Sequence, residues 1–432
     1  PTEGTVNKIE LSPHSPGRAF VAVYNYRYQD FTPYLYRTDD YGKTWTSLIN
    51  GKNGIPVDHF IRAIAEDPDR KGLLYVGTEF GMYASFDDGQ SWQSFQLNLP
   101  HVPITDIEVH EKDLVISTQG RSFWILDDLS PLHQIDPQQL AKENVLFSPR
   151  PAIRTNVSGY QAYVHLYLQE EPTKAKPLEL NITDKTGKVV RKLSTHAAAK
   201  LNKVKLKKGF NTITWNLRHQ GPDLVKDLVT MVIRNPSPGP WAVPGTYDLQ
   251  VNFGDWKANQ KLEVQADPRW TDVSQADYDA QLALAYEVQD IITDSHRRIK
   301  NIRSVKDQME RTTSLAVKAG KSEALESLSK SIIEQLDAIE NQLIQNKAEV
   351  SQDNINYPRV FSNHIGRVYS VLVNAHHRPT GGVVERFDDL KVAYQKIVAE
   401  YDSVFASSIK KFNTMLEGER VDRIIVPERV KP

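Results

Sequence analysis

The residues of this sequence with the greatest capacity to take part in catalysis or ligand binding are carboxylates beside strand-like segments. Glu79 lies at the end of the strand-like segment 73–77, and Arg121 occupies the matching place in the next unit of a repeated strand pattern. Most glycosidases need two carboxylates about 5–10 Å apart, and Glu79 with Arg121 does not supply such a pair. Two interpretations of Glu79 and Arg121 stay open: contact with a ligand, or a buried Glu–Arg ion pair, which we favour.

Other side chains that could do chemistry have a structural explanation. Asp87-Asp88 and Asp127-Asp128 are adjacent carboxylates, but each pair belongs to a short turn motif or to its remnant. His376-His377 would project about 100° apart on a helix, so they do not form a metal clamp of the i, i+4 type. No P-loop, dinucleotide-binding glycine fingerprint, nucleophile elbow or EF-hand loop occurs. The sequence therefore predicts no catalytic residue, no metal site and no cofactor.

The turn motif is an eight-residue template that occurs twice: hydroxyl, any residue, Asp, any, Gly, any, hydroxyl, Trp. The Asp side chain can accept hydrogen bonds from backbone N–H groups of the turn, and Gly takes the positive φ that the turn needs. The Trp begins the next strand and is expected to pack its ring into the sheet. The residues that fit the template are Thr38, Asp40, Gly42, Thr44 and Trp45, and then Ser85, Asp87, Gly89, Ser91 and Trp92.

Strand-like segments surround both motifs in a repeated order. We predict four short strands in each of two units and three in a third unit, whose motif has decayed to Leu126-Asp127-Asp128-Leu129. Units of this size are typical of the blades of a β-propeller. Since a closed propeller needs about four blades or more, three units would leave an apolar blade face open. We expect the missing blades to come from N-terminal sequence absent from this chain or from another chain.

The rest of the chain changes character twice. Residues 145–267 contain about seven short alternating segments between turns, one of them at 203–206, which suggests an immunoglobulin-like β-sandwich. Residues 272–417 carry four apolar stripes at helical spacing, which predict a bundle of four amphipathic helices. We therefore predict a multidomain fold, mainly β plus α. Its domains are propeller blades (1–140), a sandwich (141–268) and a helical bundle with an extended C-terminal tail (269–432).

Composition narrows the possible partners. The 432 residues carry 53 basic and 54 acidic side chains, so no global positive field favours nucleic acid. No stretch approaches the ~20 apolar residues of a membrane-spanning helix. The absence of cysteine excludes disulfides, thiolate catalysis and Cys-ligated zinc. The sequence begins at Pro1 without Met, which we read as a mature or cleaved fragment.

Several segments together resemble one protein family. They are 75–83, before the second motif, and 117–128, after it, followed by Gly209-Phe210-Asn211, 215–218 and 244–247. They are similar to the C-terminal part of large bacterial BNR-repeat (Asp-box), sortilin/VPS10-like propeller proteins, a group often labelled glycosyl hydrolases. The resemblance implies a propeller followed by a flagellar-hook-cap-type immunoglobulin-like domain and a helical region. It also implies a further N-terminal propeller portion and export to the periplasm or cell surface of a bacterium. Our own expectation for the location includes association with the outer membrane.

The same resemblance bears on the candidate site. In these relatives the eight-residue motif lies at the blade rim, away from the central ligand site. Relatives often place His before the Gly-Arg pair, where this chain has Gln119. Gln119 can form hydrogen bonds but cannot act as a general base near neutral pH. We predict that Glu79, Gln119 and Arg121 contact a ligand, if any residues of the three units do.

These observations favour a non-catalytic, exported protein that binds extracellular peptide, protein or glycan, as part of a cell-surface or periplasmic assembly. One alternative is a glycoside hydrolase whose catalytic carboxylates lie mainly on the missing blades. Another is a purely structural scaffold of an outer-membrane complex. Turnover of a glycan by the full-length protein would distinguish the hydrolase from the other two.

Overall fold

The structure is a computed structural model that describes residues 3–226, 229, 232–233, 236–318, 320, 323–419 and 421–426. The chain divides into two compact units. Unit 1 comprises residues 1–150 and 165–169, and unit 2 comprises residues 151–164 and 170–432. The two boundaries between the three domains inferred from the sequence stay predictions.

Unit 1 is built from three antiparallel sheets, each made of strands that are consecutive in the sequence. The first sheet consists of β1 (Thr5–Leu11), β2 (Ala19–Asn25), β3 (Asp30–Thr38) and β4 (Thr46–Ser47). The middle sheet consists of β5 (Ile61–Glu66), β6 (Leu74–Thr78), β7 (Gly81–Ser85) and β8 (Gln93–Ser94). The third sheet consists of β9 (Ile104–His110), β10 (Asp113–Thr118) and β11 (Phe123–Leu126). The predicted repeat of four, four and three strands is confirmed.

Short elements complete unit 1. They are α1 (Ser130–Gln134), α2 (Pro137–Leu140) and β12 (Val145–Leu146). Residues Val145 and Leu146 pair with Tyr167 and Leu166, in the part of the next strand that belongs to unit 1.

The middle sheet is buried on both faces. Because successive side chains of a strand point to opposite faces, β6 contributes to two separate cores. Leu74 and Val76 pack in one apolar cluster with Phe20 of the first sheet. Tyr75 packs in the other with Leu114 of the third sheet. The middle sheet is therefore the element that holds the three sheets of unit 1 together.

The turns at 38–45 and 85–92 share one hydrogen-bond pattern. In the first, Thr44 N donates to Asp40 Oδ1 at 2.8 Å, and Gly42 N donates to Thr38 Oγ1 at 2.8 Å. Gly42 has a φ of +82°, a value that glycine adopts without strain. The same bonds recur in the second turn between the corresponding residues Ser85, Asp87, Gly89 and Ser91.

The two tryptophans of these turns have different environments. Trp92 is only 5% exposed, packs in the core between the first and middle sheets, and donates from Nε1 to Leu48 O. Trp45 is 46% exposed and donates to Gly42 O within its own turn. The expectation that both rings pack into the sheet is therefore wrong for Trp45. Trp92 of the middle sheet packs onto the first sheet. Trp45 belongs to the first sheet itself, and no described strand precedes that sheet to cover its ring.

Four charged side chains connect the two turns. Arg18 pairs with Asp39 at 2.6 Å and with Asp88 at 2.9 Å, and Arg37 pairs with the same two carboxylates at 2.9 and 2.8 Å. Burial alone would raise the pKa of Asp39, but the hydrogen bond from Arg18 and the charge of Arg37 hold that pKa below its usual value. The arginines are largely buried, so these ion pairs are less screened by solvent than ordinary surface pairs.

The strands that follow β12 are β13 (Ala152–Arg154), β14 (Ala162–Leu168), β15 (Leu178–Thr183), β16 (Val189–Ser194), β17 (Gly209–Trp215), β18 (Gly245–Phe253) and β19 (Trp256–Ala266). Five of them form a sheet of unit 2 in the order β13-β19-β18-β15-β16. Its pairs are antiparallel except β13 with β19, which is parallel. The β-rich character of this region is confirmed, and the immunoglobulin-like topology stays a prediction.

One predicted strand of this region does not form. Residues 203–206 follow a short 3-10 helix, Lys200–Asn202, and form no strand. Lys203 makes only an isolated bridge to Ser194, and Val204 N donates to Ser194 O. Alternation of apolar and charged residues is not sufficient for a strand, because a strand also needs a neighbour along its length.

The predicted helices are present. They are α3 (Gln275–Lys318), α4 (Glu323–Leu343), α5 (Phe361–Asn374), α6 (Gly381–Ser403) and α7 (Ile409–Gly418). The predicted apolar stripes form one large core, with Ile292, Leu336 and Phe412 among its most buried members. The fourth stripe was expected to be one helix, but a π-helical turn, Val404–Ser408, separates α6 from α7. No helix among the described residues is both long and apolar enough to cross a membrane.

Within unit 2, a fully buried arginine joins the sheet to α3. Arg154 of β13 donates to Ala242 O and to Gln281 Oε1, and its guanidinium lies 4.3 Å from the ring centroid of Tyr278. Gln281 in turn donates to Leu372 O at the end of α5. The predicted C-terminal tail is described only to residue 426, so most of it lies outside the described residues.

We predict that Trp92→Ala destabilises unit 1 far more than Trp45→Ala. Replacing the buried Trp92 ring leaves a cavity, which costs about 3–5 kcal/mol, whereas the half-exposed Trp45 ring should cost about 1 kcal/mol or less. Urea unfolding of each variant, followed by far-UV circular dichroism, measures the two differences. Equal losses for the two variants would contradict the assigned core.

We predict that unit 2 loses stability between pH 7 and pH 4. His219 and His296 are buried, and burial lowers their pKa values to about 3 and about 4, so both stay neutral in the folded state. The unfolded chain binds protons at these imidazoles near pH 6.5, so the stability they contribute is present above that pH and falls as the pH drops. The urea midpoint should be lower at pH 5 than at pH 7.5. His219→Gln with His296→Gln should weaken this dependence, and an unchanged slope would count against it.

Candidate functional site

The connections β2–β3, β6–β7 and β10–β11 form a continuous surface in unit 1, here called the turn edge. Phe60, which precedes β5, stacks on Tyr26 of the β2–β3 connection, with ring centroids 4.9 Å apart. The Phe60 carbonyl accepts a hydrogen bond from Glu79 N of the β6–β7 connection. His101 Nδ1 lies 3.2 Å from Phe80 O of the β6–β7 connection. Gln119 N of the β10–β11 connection donates to Pro103 O. These contacts place the three turns side by side.

Glu79 is held in an ion pair, but not with Arg121. Arg62 Nε donates to Glu79 Oε2 at 2.6 Å, and both side chains are mostly buried. The pairing that we favoured from the sequence therefore has a different arginine. Because Arg62 lies on β5 and Glu79 follows β6, the antiparallel pairing of these strands brings the two side chains together. This carboxylate already has a cationic partner.

The rings of Tyr24, Tyr26 and Phe60 lie beside Arg62, and the Phe31 ring packs against Phe60. We call these four rings the aromatic cluster. The Arg62 guanidinium carbon lies 5.2 Å from the Phe60 ring centroid, 5.6 Å from that of Tyr26 and 5.8 Å from that of Tyr24. Cation–π attraction therefore adds to the ion pair in fixing the guanidinium. This cluster is not among the predicted site residues, although the alternating aromatic residues of Tyr24-Asn25-Tyr26-Arg27-Tyr28 are a visible signal.

Arg121 and Gln119 lie in the β10–β11 connection. The Arg121 side chain is exposed, and within the described parts of the chain its one hydrogen bond is donated to the carbonyl of the adjacent Gly120. Its backbone is fixed by Thr118 Oγ1 and by the indole of Trp124. The Gln119 side chain is exposed as well. Among the described residues, the structure records no hydrogen bond or ion pair that joins Glu79 to Gln119 or Arg121. All three predicted residues thus lie on the turn edge, with Arg121 open to solvent.

Exposed and half-exposed rings extend this surface. Tyr28 and Phe80 are exposed, and the Phe80 ring packs against His59 at 4.7 Å between centroids. Tyr83 Oη lies 2.9 Å from His59 Nδ1. Burial lowers the pKa of His59 from its ordinary value, so the imidazole is neutral at physiological pH. The turn edge therefore offers flat apolar rings beside polar groups, which is the composition of a binding surface.

A further carboxylate on the turn edge, Asp30, is committed to the fold. It accepts hydrogen bonds from Tyr34 Oη and from the backbone of Thr32. Bonds from Thr32 and Tyr34 lower its pKa to about 2, so it stays ionised and cannot serve as a general acid near neutral pH.

One group of side chains in unit 1 has the composition of a metal site: Asp67, Asp69 and His133. The buried Asp67 carboxylate, however, already has partners on both oxygens. Its Oδ1 accepts from the backbone N–H groups of Asp69 and Arg70, while Oδ2 accepts from Tyr75 Oη at 3.0 Å and lies 2.9 Å from His133 Nε2. Burial alone would raise the pKa of Asp67, but the bonds from His133 and Asp69 lower it. We interpret the group as a structural network.

No protein-family model and no curated protein sequence matches the chain. Solved structures with partial similarity include a GH74 enzyme from Niastella koreensis (13% identity, TM-score 0.24) and the GH74 xyloglucanase from Xanthomonas campestris (12%, 0.22). A third is the extracellular domain of a putative one-component system from B. thetaiotaomicron (11%, 0.23). These matches cover 60%, 60% and 61% of this chain, and 38%, 47% and 30% of the respective solved chains. The matched region thus spans less than half the length of each solved chain. Similarity at this level does not establish the family or the function of this chain.

We predict that Glu79→Gln destabilises unit 1 and that Arg121→Gln does not. The first change leaves the largely buried Arg62 without a negative partner, which should cost about 1–3 kcal/mol. The second removes an exposed side chain with one local hydrogen bond, so its effect should stay within about 0.5 kcal/mol. Urea unfolding at pH 7 compares the two. A greater loss for Arg121→Gln would contradict the assignment of Arg62 as the partner of Glu79.

Proposed function

We propose that this chain belongs to an exported bacterial β-propeller protein of the BNR-repeat, sortilin-like class, and that it binds an extracellular peptide, protein or glycan at the turn edge. Its proposed location is the cell surface, the outer membrane or the periplasm. The observation that carries the proposal is the exposure of Tyr28, Phe80 and Arg121 on one edge, beside the aromatic cluster around Arg62, in which Tyr24 and Phe60 are buried.

The chemistry of the turn edge suits recognition better than turnover. Aromatic rings stack on apolar faces of a ligand, while an exposed guanidinium donates hydrogen bonds to carbonyl or carboxylate oxygens. Arg62 already binds Glu79, and Asp30 is fixed by Thr32 and Tyr34. A hydrolase would need a pair of carboxylates free to act at suitable spacing. In the glycoside hydrolase alternative, such residues lie mainly on blades outside this chain.

We also infer that further sheets complete the propeller. Ile9 and Leu11 of β1 are exposed, and Ile9 shares one face of the first sheet with Val21 and Tyr36 through the register of β1, β2 and β3. On the third sheet, Ile125 of β11 is likewise exposed. An apolar sheet face is unfavourable in water and is expected to be covered. The proposed cover is the N-terminal propeller portion, supplied by further sequence of the same protein or by a separate chain.

The proposal predicts that exposed rings and the guanidinium of the turn edge control ligand binding. The full chain, with any N-terminal portion that copurifies, is screened against arrays of glycans and peptides, and hits are titrated by calorimetry. Tyr28→Ala, Phe80→Ala and Arg121→Gln should each weaken binding about tenfold, since each removes one stacking or charged contact worth over 1 kcal/mol.

The matched control is Tyr41→Ala. Tyr41 is even more exposed than Tyr28 but lies in the first eight-residue turn, at the opposite end of the strands, so affinity should not change. Full affinity in the three turn-edge variants would refute the proposed surface. Turnover of a glycan that is lost on mutation of a carboxylate would establish the hydrolase instead. Copurification in a stoichiometric complex that is insensitive to the turn-edge variants would favour the scaffold.

A further inference from the structure

Unit 2 contains a cavity of about 600 Å³ whose polar wall is basic. We call it the arginine pocket. The segment before α5 contributes Arg359, α5 contributes His364 and Arg367, and α6 contributes Arg386. Four basic side chains from three successive segments thus line one space, although they lie up to 27 positions apart in the sequence (386 − 359 = 27).

The positive charges of the pocket are not neutralised by its own lining. No acidic side chain is among the described residues that line the cavity. Arg359 and Arg367 form no ion pair with another described residue, and Arg386 has only Asp389, at 3.8 Å. Burial, followed by the charges of Arg386 and Arg359, lowers the pKa of His364, so its imidazole is neutral at pH 7 and can donate one hydrogen bond. Unbalanced guanidinium groups around one cavity favour an anion.

The remaining wall points to an organic ligand. Ile355, Tyr357 and Val368 provide apolar surface, and Asn363 caps Val360 N with its side-chain oxygen at 3.1 Å. A free phosphate or sulfate ion would fill only a small part of the volume. Ligand sites of several hundred Å3 with mixed apolar and polar lining are typical for small molecules.

We propose that the arginine pocket binds a small organic ligand through a doubly charged oxyanion, such as a phosphate monoester. Guanidinium groups donate two parallel hydrogen bonds to phosphate oxygens, and such bonds are about twice as strong as neutral ones. Three arginines provide more positive charge than a single carboxylate or sulfate ester would balance. The apolar wall contacts the organic part of the ligand.

Calorimetric titration of the full chain at pH 7.5 and low salt tests the proposal with four probes: glucose 6-phosphate, glucose 6-sulfate, inorganic phosphate and glucose. We expect glucose 6-phosphate to bind most tightly, the sulfate ester and inorganic phosphate more weakly, and glucose not at all. Arg359→Gln and Arg367→Gln should each weaken binding of glucose 6-phosphate about tenfold or more, because each removes a charged hydrogen-bond donor.

Arg311→Gln is the matched control. Arg311 is an exposed arginine of α3 that pairs with Asp307 at 3.0 Å, and its replacement should leave the affinity unchanged. The side chains of Arg359 and Arg367 are exposed, so both pocket variants should fold and melt like the unmodified chain. The proposal is overturned by the absence of binding of glucose 6-phosphate, by full affinity in both pocket variants, or by equal affinity for glucose. Equal affinity for the sulfate ester would overturn the requirement for a second charge.

Discussion

Burial of the middle sheet on both faces is the constraint on which the rest of unit 1 depends. Leu74 and Val76 face the first sheet, while Tyr75 faces the third, so a single strand, β6, fixes both neighbours. Arg62 at the start of β5 and Glu79 after β6 can pair only because these strands are adjacent. The turn edge is thus a consequence of sheet packing: the same strands that bury the core present the aromatic cluster at their ends.

The eight-residue turns and the candidate site lie at opposite ends of the strands. In an antiparallel sheet of consecutive strands, successive connections alternate between the two edges. The turns between β3 and β4 and between β7 and β8 therefore point away from the turn edge. Their Asp side chains bind backbone N–H groups, and the Arg18 and Arg37 ion pairs join one turn to the next. The motif that reveals the repeat is a fold determinant, and the proposed binding surface is at the other edge.

Local patterns in the sequence predicted the strands of unit 1 and the helices of unit 2, because periodicity is set by which face of each element is buried. Contacts between side chains that are distant in the sequence were not predictable in this way. The sequence indicated a Glu–Arg pair at Glu79 but could not show that Arg62, rather than Arg121, supplies the charge. Nor could it show that Trp92 is buried and Trp45 half-exposed, since the two motifs are alike and only the neighbouring sheets differ. The arginine pocket was missed for the same reason, because its residues come from separate segments.

Hydrogen exchange of the full chain, followed by mass spectrometry, tests the central claim about the middle sheet most directly. Amides of a sheet packed on both faces open only with the whole unit, whereas those at an uncovered face open locally. We predict that peptides from β5, β6 and β7 exchange more slowly than peptides from β1 and β11 by at least about tenfold, which corresponds to 1.4 kcal/mol in the free energy of opening. Exchange of the middle sheet at the same rate as β1 and β11, or faster, would contradict the account.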